Sequence, residues 1–190
     1  MPDTRSGPVR SEAARQSILQ ATVTLLAERG YDNLTIEGIA ARAGVGKQTV
    51  YRWWPSKSSI IAECLVEGLL LPVHLRVPDT GDIRRDLTTW LTTLFGYLQT
   101  EQGATIFRSL LAVAATDEAV GSGLRDSVMH TQSLSTRLHS AIGTAPNLPE
   151  GAPVEEIADA LVGALVLRNL ARRPIEEGDA ERLVEAVIGP

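Results

Sequence analysis

Cysteine is nearly absent: Cys64 stands alone in 190 residues. An internal disulfide is therefore excluded, and one thiol cannot form a thiolate metal cluster by itself. Such a residue is expected as a small buried side chain on a helix. Histidine is also scarce, and His74, His130 and His139 share no metal-ligand spacing such as H-E-x-x-H. Asp126 and His130 stand one helical turn apart, a spacing more common in surface contacts than in catalytic bases. No G-x-S-x-G turn is present. Gly46-Lys47 has Ala41 where a phosphate-binding loop requires glycine, and Gln48 where it requires Ser or Thr. The residues give no support to an enzyme, and no metal or cofactor is expected.

Long hydrophobic runs are missing too. The stretch from Ala160 to Leu167 falls far short of the ~20 residues that a membrane span needs. The first residues lack the charged-then-apolar layout of an export signal. A cytoplasmic protein with no membrane partner is the expectation. Its 44% hydrophobic and 22% charged residues are ordinary for a globular chain.

Excess positive charge is absent overall, since the formal net charge is −5. Its distribution is more informative. Residues 1–60 hold eight Lys or Arg against five Asp or Glu, whereas residues 61–190 hold ten against eighteen. A slightly basic head on an acidic body suits a protein that meets a polyanion at one end only.

Period-two alternation is rare, and apolar residues recur at helical spacing. The pattern predicts an all-α fold of about nine helices, over 11–29, 36–42, 46–53, 56–71, 82–100, 102–116, 118–142, 154–172 and 179–188. Ser11, Thr35 and Ser56 supply N-caps, and Gly30, Gly44, Pro55 and Pro72 supply stops. Residues 1–10 read as a flexible extension, 11–57 as a helix-turn-helix domain and 58–190 as a ligand-binding and dimerisation domain. The stretch 143–153, with two glycines and three prolines, reads as a linker.

The informative window runs from Thr35 to Lys57. A helix-turn-helix crosses two short helices steeply around a tight turn. It needs a small residue at the crossing, here Ala40, and a residue that tolerates positive φ in the turn, here Gly44. It also needs apolar plugs on both sides, here Ile36, Ile39, Val45 and Val50. In the second helix Val50 and Trp54 point inward by spacing, which leaves Lys47, Gln48, Thr49, Tyr51 and Arg52 around the other sides. Those types suit DNA: Lys and Arg for phosphate or guanine, Gln for adenine, Thr for phosphate or the thymine methyl. Lys57 opens the next helix, where its charge and the free amides favour a phosphate.

This window resembles the DNA-binding domain of the TetR (tetracycline-repressor-like) family of bacterial regulators. The resemblance rests on Thr35, Ala40, Ala43-Gly44-Val45, Tyr51, Trp53-Trp54 and Lys57, and covers about residues 11–65. It implies phosphate contacts for Thr35, Tyr51 and Lys57. It implies a major-groove position for Lys47, Gln48, Thr49 and Arg52, with Trp53 at the margin. Glycine is frequent in the family where this chain has Gln48, so the base preferences of relatives do not transfer. The implied function is that of a sequence-specific DNA-binding regulator, a repressor released from double-stranded operator DNA by a small-molecule inducer. The residues alone also admit an activator, or a helical interaction module or ligand carrier that never meets DNA.

In the remainder, Trp90, Phe95, Phe107, Arg108, Met129, His130 and Gln132 are expected around a ligand pocket between helices. The helix from Val154 is apolar nearly all round, which a helix at the edge of a monomer should not be. Ile157, Leu161, Ala164 and Leu165, with Leu183, Val184 and Val187 of the last helix, are therefore expected in a homodimer interface.

Overall fold

The computed structural model describes residues 12–71, 76–125, 127 and 134–189. Among these residues there are ten helices and no strand. They are α1 (Glu12–Arg29), α2 (Ile36–Ala43), α3 (Lys47–Trp53), α4 (Lys57–Val66), α5 (Ile83–Gln99), α6 (Glu101–Ala114), α7 (Glu118–Arg125), α8 (Leu134–Ala141), α9 (Val154–Leu170) and α10 (Asp179–Ile188). The fold is all-α, with a helix-turn-helix head followed by a helical body.

Polar caps set the starts. Thr35 Oγ1 accepts from the Gly38 N–H at 3.0 Å, and Asp82 accepts from the Arg85 N–H at 3.1 Å. Ser56 and Ser59 form a reciprocal capping box at the start of α4. Thr100 alone separates α5 from α6 and accepts from the Gly103 N–H at 3.0 Å. Gly103 is required there, because a Cβ would run into the Tyr97 carbonyl.

Three expectations change. α4 ends at Val66 rather than Leu71, because Gly68 takes a left-handed φ of 67° and the Leu69 N–H closes back on the Cys64 carbonyl at 2.9 Å. The expected stop, Pro72, and the expected cap Ser11 lie outside the described residues, as does the 1–10 extension. The span 118–142 contains two helices, α7 and α8, on either side of residues outside the description, so the count rises from nine to ten. The 143–153 stretch is no simple spacer: Leu148 is buried, and its carbonyl accepts from the Gly143 N–H at 2.8 Å.

α1 packs on α2, α4 and α6, while α4 packs on α7 and α9 packs on α6, α8 and α10. One apolar cluster runs through the molecule, from Ile18, Ile39 and Val50 in the head to Leu91, Leu138 and Leu161 in the body. A buried ion pair crosses it. Arg137 Nη2 donates to Asp86 Oδ2 at 2.8 Å, and Thr80 Oγ1 donates to the same carboxylate at 2.7 Å. Removing either partner would strand a buried charge, at a cost of about 3–5 kcal/mol. α9 closes with Arg172 in the left-handed region at φ 50°, and the Arg173 N–H donates to the Arg168 carbonyl at 2.9 Å. Glycine usually fills that position, and a side chain there costs about 1 kcal/mol.

Candidate nucleic-acid interface

The turn between α2 and α3 is built on Gly44 and Ala40. Gly44 has φ 69°, and the Val45 N–H donates to the Ala40 carbonyl at 3.0 Å. Ala40 is buried, as are Ile36, Ile39 and Val50, and Val45 is half-buried. Gly46 caps α3 with no side-chain hydrogen bond of its own, and its carbonyl accepts from the Thr49 N–H at 2.8 Å. The start of α3 therefore presents backbone N–H groups beneath an open surface.

That surface is polar and cationic. Lys47, Gln48, Tyr51 and Arg52 are exposed, and Thr49 is half-buried beside them. Tyr51, 49% exposed, is one of the few large hydrophobic side chains left on the surface. Trp53 is half-buried, meets Trp54 edge-on at 5.6 Å and lies 5.7 Å from the Arg52 guanidinium. Lys47 stands 3.8 Å from Glu37, a loose exposed pair that competes little with another anion. Arg42 is turned aside, onto Glu28 at 2.9 Å. Thr35 is exposed at the start of α2, with its hydroxyl oxygen already accepting the cap bond.

The Lys57 ammonium donates to the Tyr31 carbonyl at 2.8 Å and the Leu34 carbonyl at 3.0 Å, and it sits 3.9 Å from the Tyr31 ring centre. The carbonyls at the α1–α2 turn capture it because they converge on the start of α4. Two of its three N–H donors thus tie the α1–α2 turn to the start of α4. The Tyr31 N–H in turn donates to Ser109 Oγ at 3.2 Å, which joins this knot to α6. A second knot went unread in the sequence. Trp54 Nε1 donates to Glu63 Oε2 at 2.6 Å, and Arg15 Nε donates to Glu63 Oε1 at 2.5 Å. Arg15 also reaches Glu67 at 2.5 Å, and these carboxylates hold its guanidinium protonated even more firmly than usual.

Comparison with known proteins agrees with this geometry. Residues 18–64 match the family model for bacterial regulatory proteins, tetR family, and residues 77–187 match that for the tetracyclin repressor-like C-terminal domain. The chain belongs to the TetR family. It is 30% identical over 168 residues to the HTH-type transcriptional regulator YdeS of Bacillus subtilis, covering 87% of this chain and 83% of that protein. It is 31% identical over 179 residues to an HTH-type transcriptional regulator of Mycobacterium tuberculosis, covering 91% and 85%. The crystal structure of the TetR family transcription regulator SCO0332 superposes with a TM-score of 0.68 at 31% identity, over 93% of this chain and 98% of that one. The chain is accordingly a helix-turn-helix, DNA-binding transcriptional regulator. Regulators of the TetR family bind operator DNA and dimerise, and ligand-induced release is typical of them. Among the described residues, no helix is long and apolar enough to cross a membrane.

In the body of this TetR-family chain the described pocket candidates are spread out: Phe95 lines a cleft of about 380 Å³, while Phe107 and Arg108 line others. Trp90, Phe95 and Phe107 are only 2%, 3% and 7% exposed and belong to the packed core. An apolar void of about 20 Å³ touches Phe107, room for about one water. Met129, His130 and Gln132, like Asp126 and His74, lie outside the described residues. Arg108 lines a larger cleft of about 430 Å³, whose lining does not include Trp90. On the expected dimer face, Ile157, Leu161, Leu165 and Val184 are buried within the monomer, because α9 packs on α6, α8 and α10. Ala164, Leu183 and Val187 are half-buried. The large apolar side chains that α9 shows to solvent are Leu167, 68% exposed, and Leu170, 55% exposed. Period counting found an all-round apolar helix but could not say which side the monomer itself uses.

Proposed function

We propose that this chain is a cytoplasmic repressor that binds a roughly palindromic operator as a homodimer and leaves it when a small molecule binds the body. The observation behind this is the outward face of α3, where Lys47, Gln48, Tyr51 and Arg52 stand exposed beside a helix start that has no side-chain cap. Lys47 and Tyr51 would hold phosphates together with the backbone amides. Gln48 and Arg52 would read base edges, with Thr49 and Trp53 packing at the groove margin. Thr35 would offer its hydroxyl proton to a phosphate while its oxygen stays on the cap. Lys57 acts as a positioning residue through Tyr31 and Leu34. The division of labour follows the helices, with DNA contact in 11–57 and ligand and partner contact in 58–190.

The second copy is proposed to cover Ala160, Ala164, Leu167 and Leu170 of α9 together with Leu183 and Val187 of α10, all exposed or half-buried in one chain. A two-fold axis there would place the two heads about one DNA turn apart, near 34 Å or somewhat more. The experiment is fluorescence anisotropy with a duplex from the promoter beside the chain's own gene. Tight, salt-sensitive binding is expected, and Arg52→Ala or Gln48→Ala should shift preference at one base pair by about 1–3 kcal/mol. Unchanged operator affinity in a folded protein carrying Lys47→Ala, Tyr51→Ala and Arg52→Ala together would overturn the assignment.

A further inference from the structure

The cleft of about 430 Å³ beside the end of α9 is strongly one-signed. Arg108 of α6, Arg168 of α9, and Arg172 and Arg173 just beyond α9 all line it, with Asn169 and Leu98 between them. Arg168 is neutralised by Asp179, which it contacts directly. Among the described residues, no carboxylate lies within ion-pair distance of Arg108, Arg172 or Arg173. Like charges gathered in one concave site repel each other, and an anion relieves that repulsion.

A second observation is independent of the charge. Asn169 is only 7% exposed, and its Oδ1 is fully buried with no hydrogen-bond partner among the described residues. A buried acceptor left unpaired is unusual in a folded protein and marks a place where a donor belongs. Arg172 holds its left-handed conformation at a helix end where glycine is ordinarily found, so the chain keeps a cation at the rim in spite of strain. Leu98 lines both this cleft and the small apolar void that Phe107 and Leu94 share.

We propose that this cleft is the recognition site for the regulator's effector, and that the effector is a small carboxylate with an apolar tail and a hydroxyl group. This rests on the reading of the chain as a ligand-released repressor. The carboxylate would lie on Arg108 and Arg172 in fork-to-fork geometry. The hydroxyl would donate to Asn169 Oδ1, and the tail would follow Leu98 towards the apolar void. The void also touches Tyr97, whose hydroxyl donates to the Leu70 carbonyl at 2.8 Å in the segment after α4. A tail that opens the void would therefore push on the segment that leads back to the DNA-binding head.

The test is calorimetric titration of the full chain without DNA, using 3-hydroxyoctanoate, octanoate, 2-octanol and inorganic phosphate. Saturable binding of 3-hydroxyoctanoate is expected, with octanoate several-fold weaker and both controls at least about tenfold weaker. Arg172→Gly should weaken the acid about tenfold while leaving the melting temperature unchanged or raised, since glycine suits that backbone. Asn169→Leu should make the two acids bind alike. Equal binding of octanol, equal binding of phosphate, no saturable binding of either acid at millimolar concentration, or an Arg172→Gly variant with unaltered affinity would each overturn the proposal. Because no DNA is present, failure here leaves operator binding intact, and a failure of operator binding leaves this titration readable.

Discussion

Trp54 Nε1 donates to Glu63 Oε2 at 2.6 Å, so the residue that ends the recognition helix is tied to the middle of α4. The other oxygen of Glu63 receives Arg15 from α1. One carboxylate thus fixes the orientation of the reading helix relative to the helix that leads into the body. Any movement of α4 along its axis pulls on Trp54 directly. Under the proposed ligand-induced release this contact would be the mechanical link, because a ligand shifts DNA affinity only through a contact that differs between the two states.

Glu63→Leu should therefore destabilise the fold by about 1.5–3 kcal/mol, since it leaves an indole N–H and a guanidinium without this acceptor. Urea denaturation reads the cost. The same variant should bind operator more weakly than its stability loss alone explains. Glu63→Gln, which keeps an acceptor of similar shape, should recover much of both. Equal operator affinity in wild type and Glu63→Leu would exclude the linkage.

Gly44→Ala tests the turn. No atom lies within 4 Å of the position a Cβ would take, so the substitution meets no clash. The only penalty is the left-handed φ of 69°, worth about 1–2 kcal/mol. The variant should unfold earlier by that amount and keep its helix content. Gly46→Ala, also without a neighbour within 4 Å and without positive φ, should lose only the N-cap preference of glycine over alanine, about 0.5–1 kcal/mol by the same measurement.

Much of this arrangement was legible in the sequence, and the rest was hidden for stated reasons. Caps and breakers act locally, so Thr35, Gly44 and Ser56 announced their roles and the head was readable almost to the residue. The Lys57 bonds leave no trace in the sequence, because their partners are carbonyls, which every residue has and no motif marks. Glu63 and Arg15 are 48 positions apart, and only the packing of α1 on α4 brings them together. Leu161 and Leu167 look alike in composition and lie six residues apart on one helix. Whether each faces the monomer core or solvent depends on where α6, α8 and α10 sit, and periodicity holds no information about that.

Stability should fall in acid. Asp117 is held below the usual carboxylate range by its hydrogen bond from Ser58. Asp179 is held well below it by the Glu176 N–H and then by Arg168 and Arg182. Folded values below unfolded ones mean that the unfolded chain takes up protons first as pH drops. The contribution is thus fully present above the unfolded value, near pH 4, and is lost as pH falls through the folded values. Urea midpoints should vary little from these groups between about pH 7 and pH 5, then decline below about pH 4. Asp179→Asn should be less stable at neutral pH and show a shallower acid decline.

The dimer prediction separates two leucines of one helix. Leu161 is fully buried in the single chain, whereas Leu167 is 68% exposed. A glutamate at 161 would have to place a charge in the core among α6, α8, α9 and α10, so Leu161→Glu should unfold the protein or abolish its expression. That outcome says nothing about assembly. A glutamate at 167 meets solvent in the monomer and costs little there. In a two-fold dimer over Leu167 and Leu170, each copy would set its new charge against the apolar surface of the other. Leu167→Glu should therefore keep its circular dichroism and melt cooperatively, yet run as a monomer by light scattering. Its operator affinity should drop steeply, because a single head makes half the phosphate contacts and loses the fixed spacing. A Leu167→Glu protein that stays dimeric would move the interface away from this end of α9, and the remaining candidates would be Ala160 and Ala164 of α9 and the half-buried Leu183 and Val187 of α10.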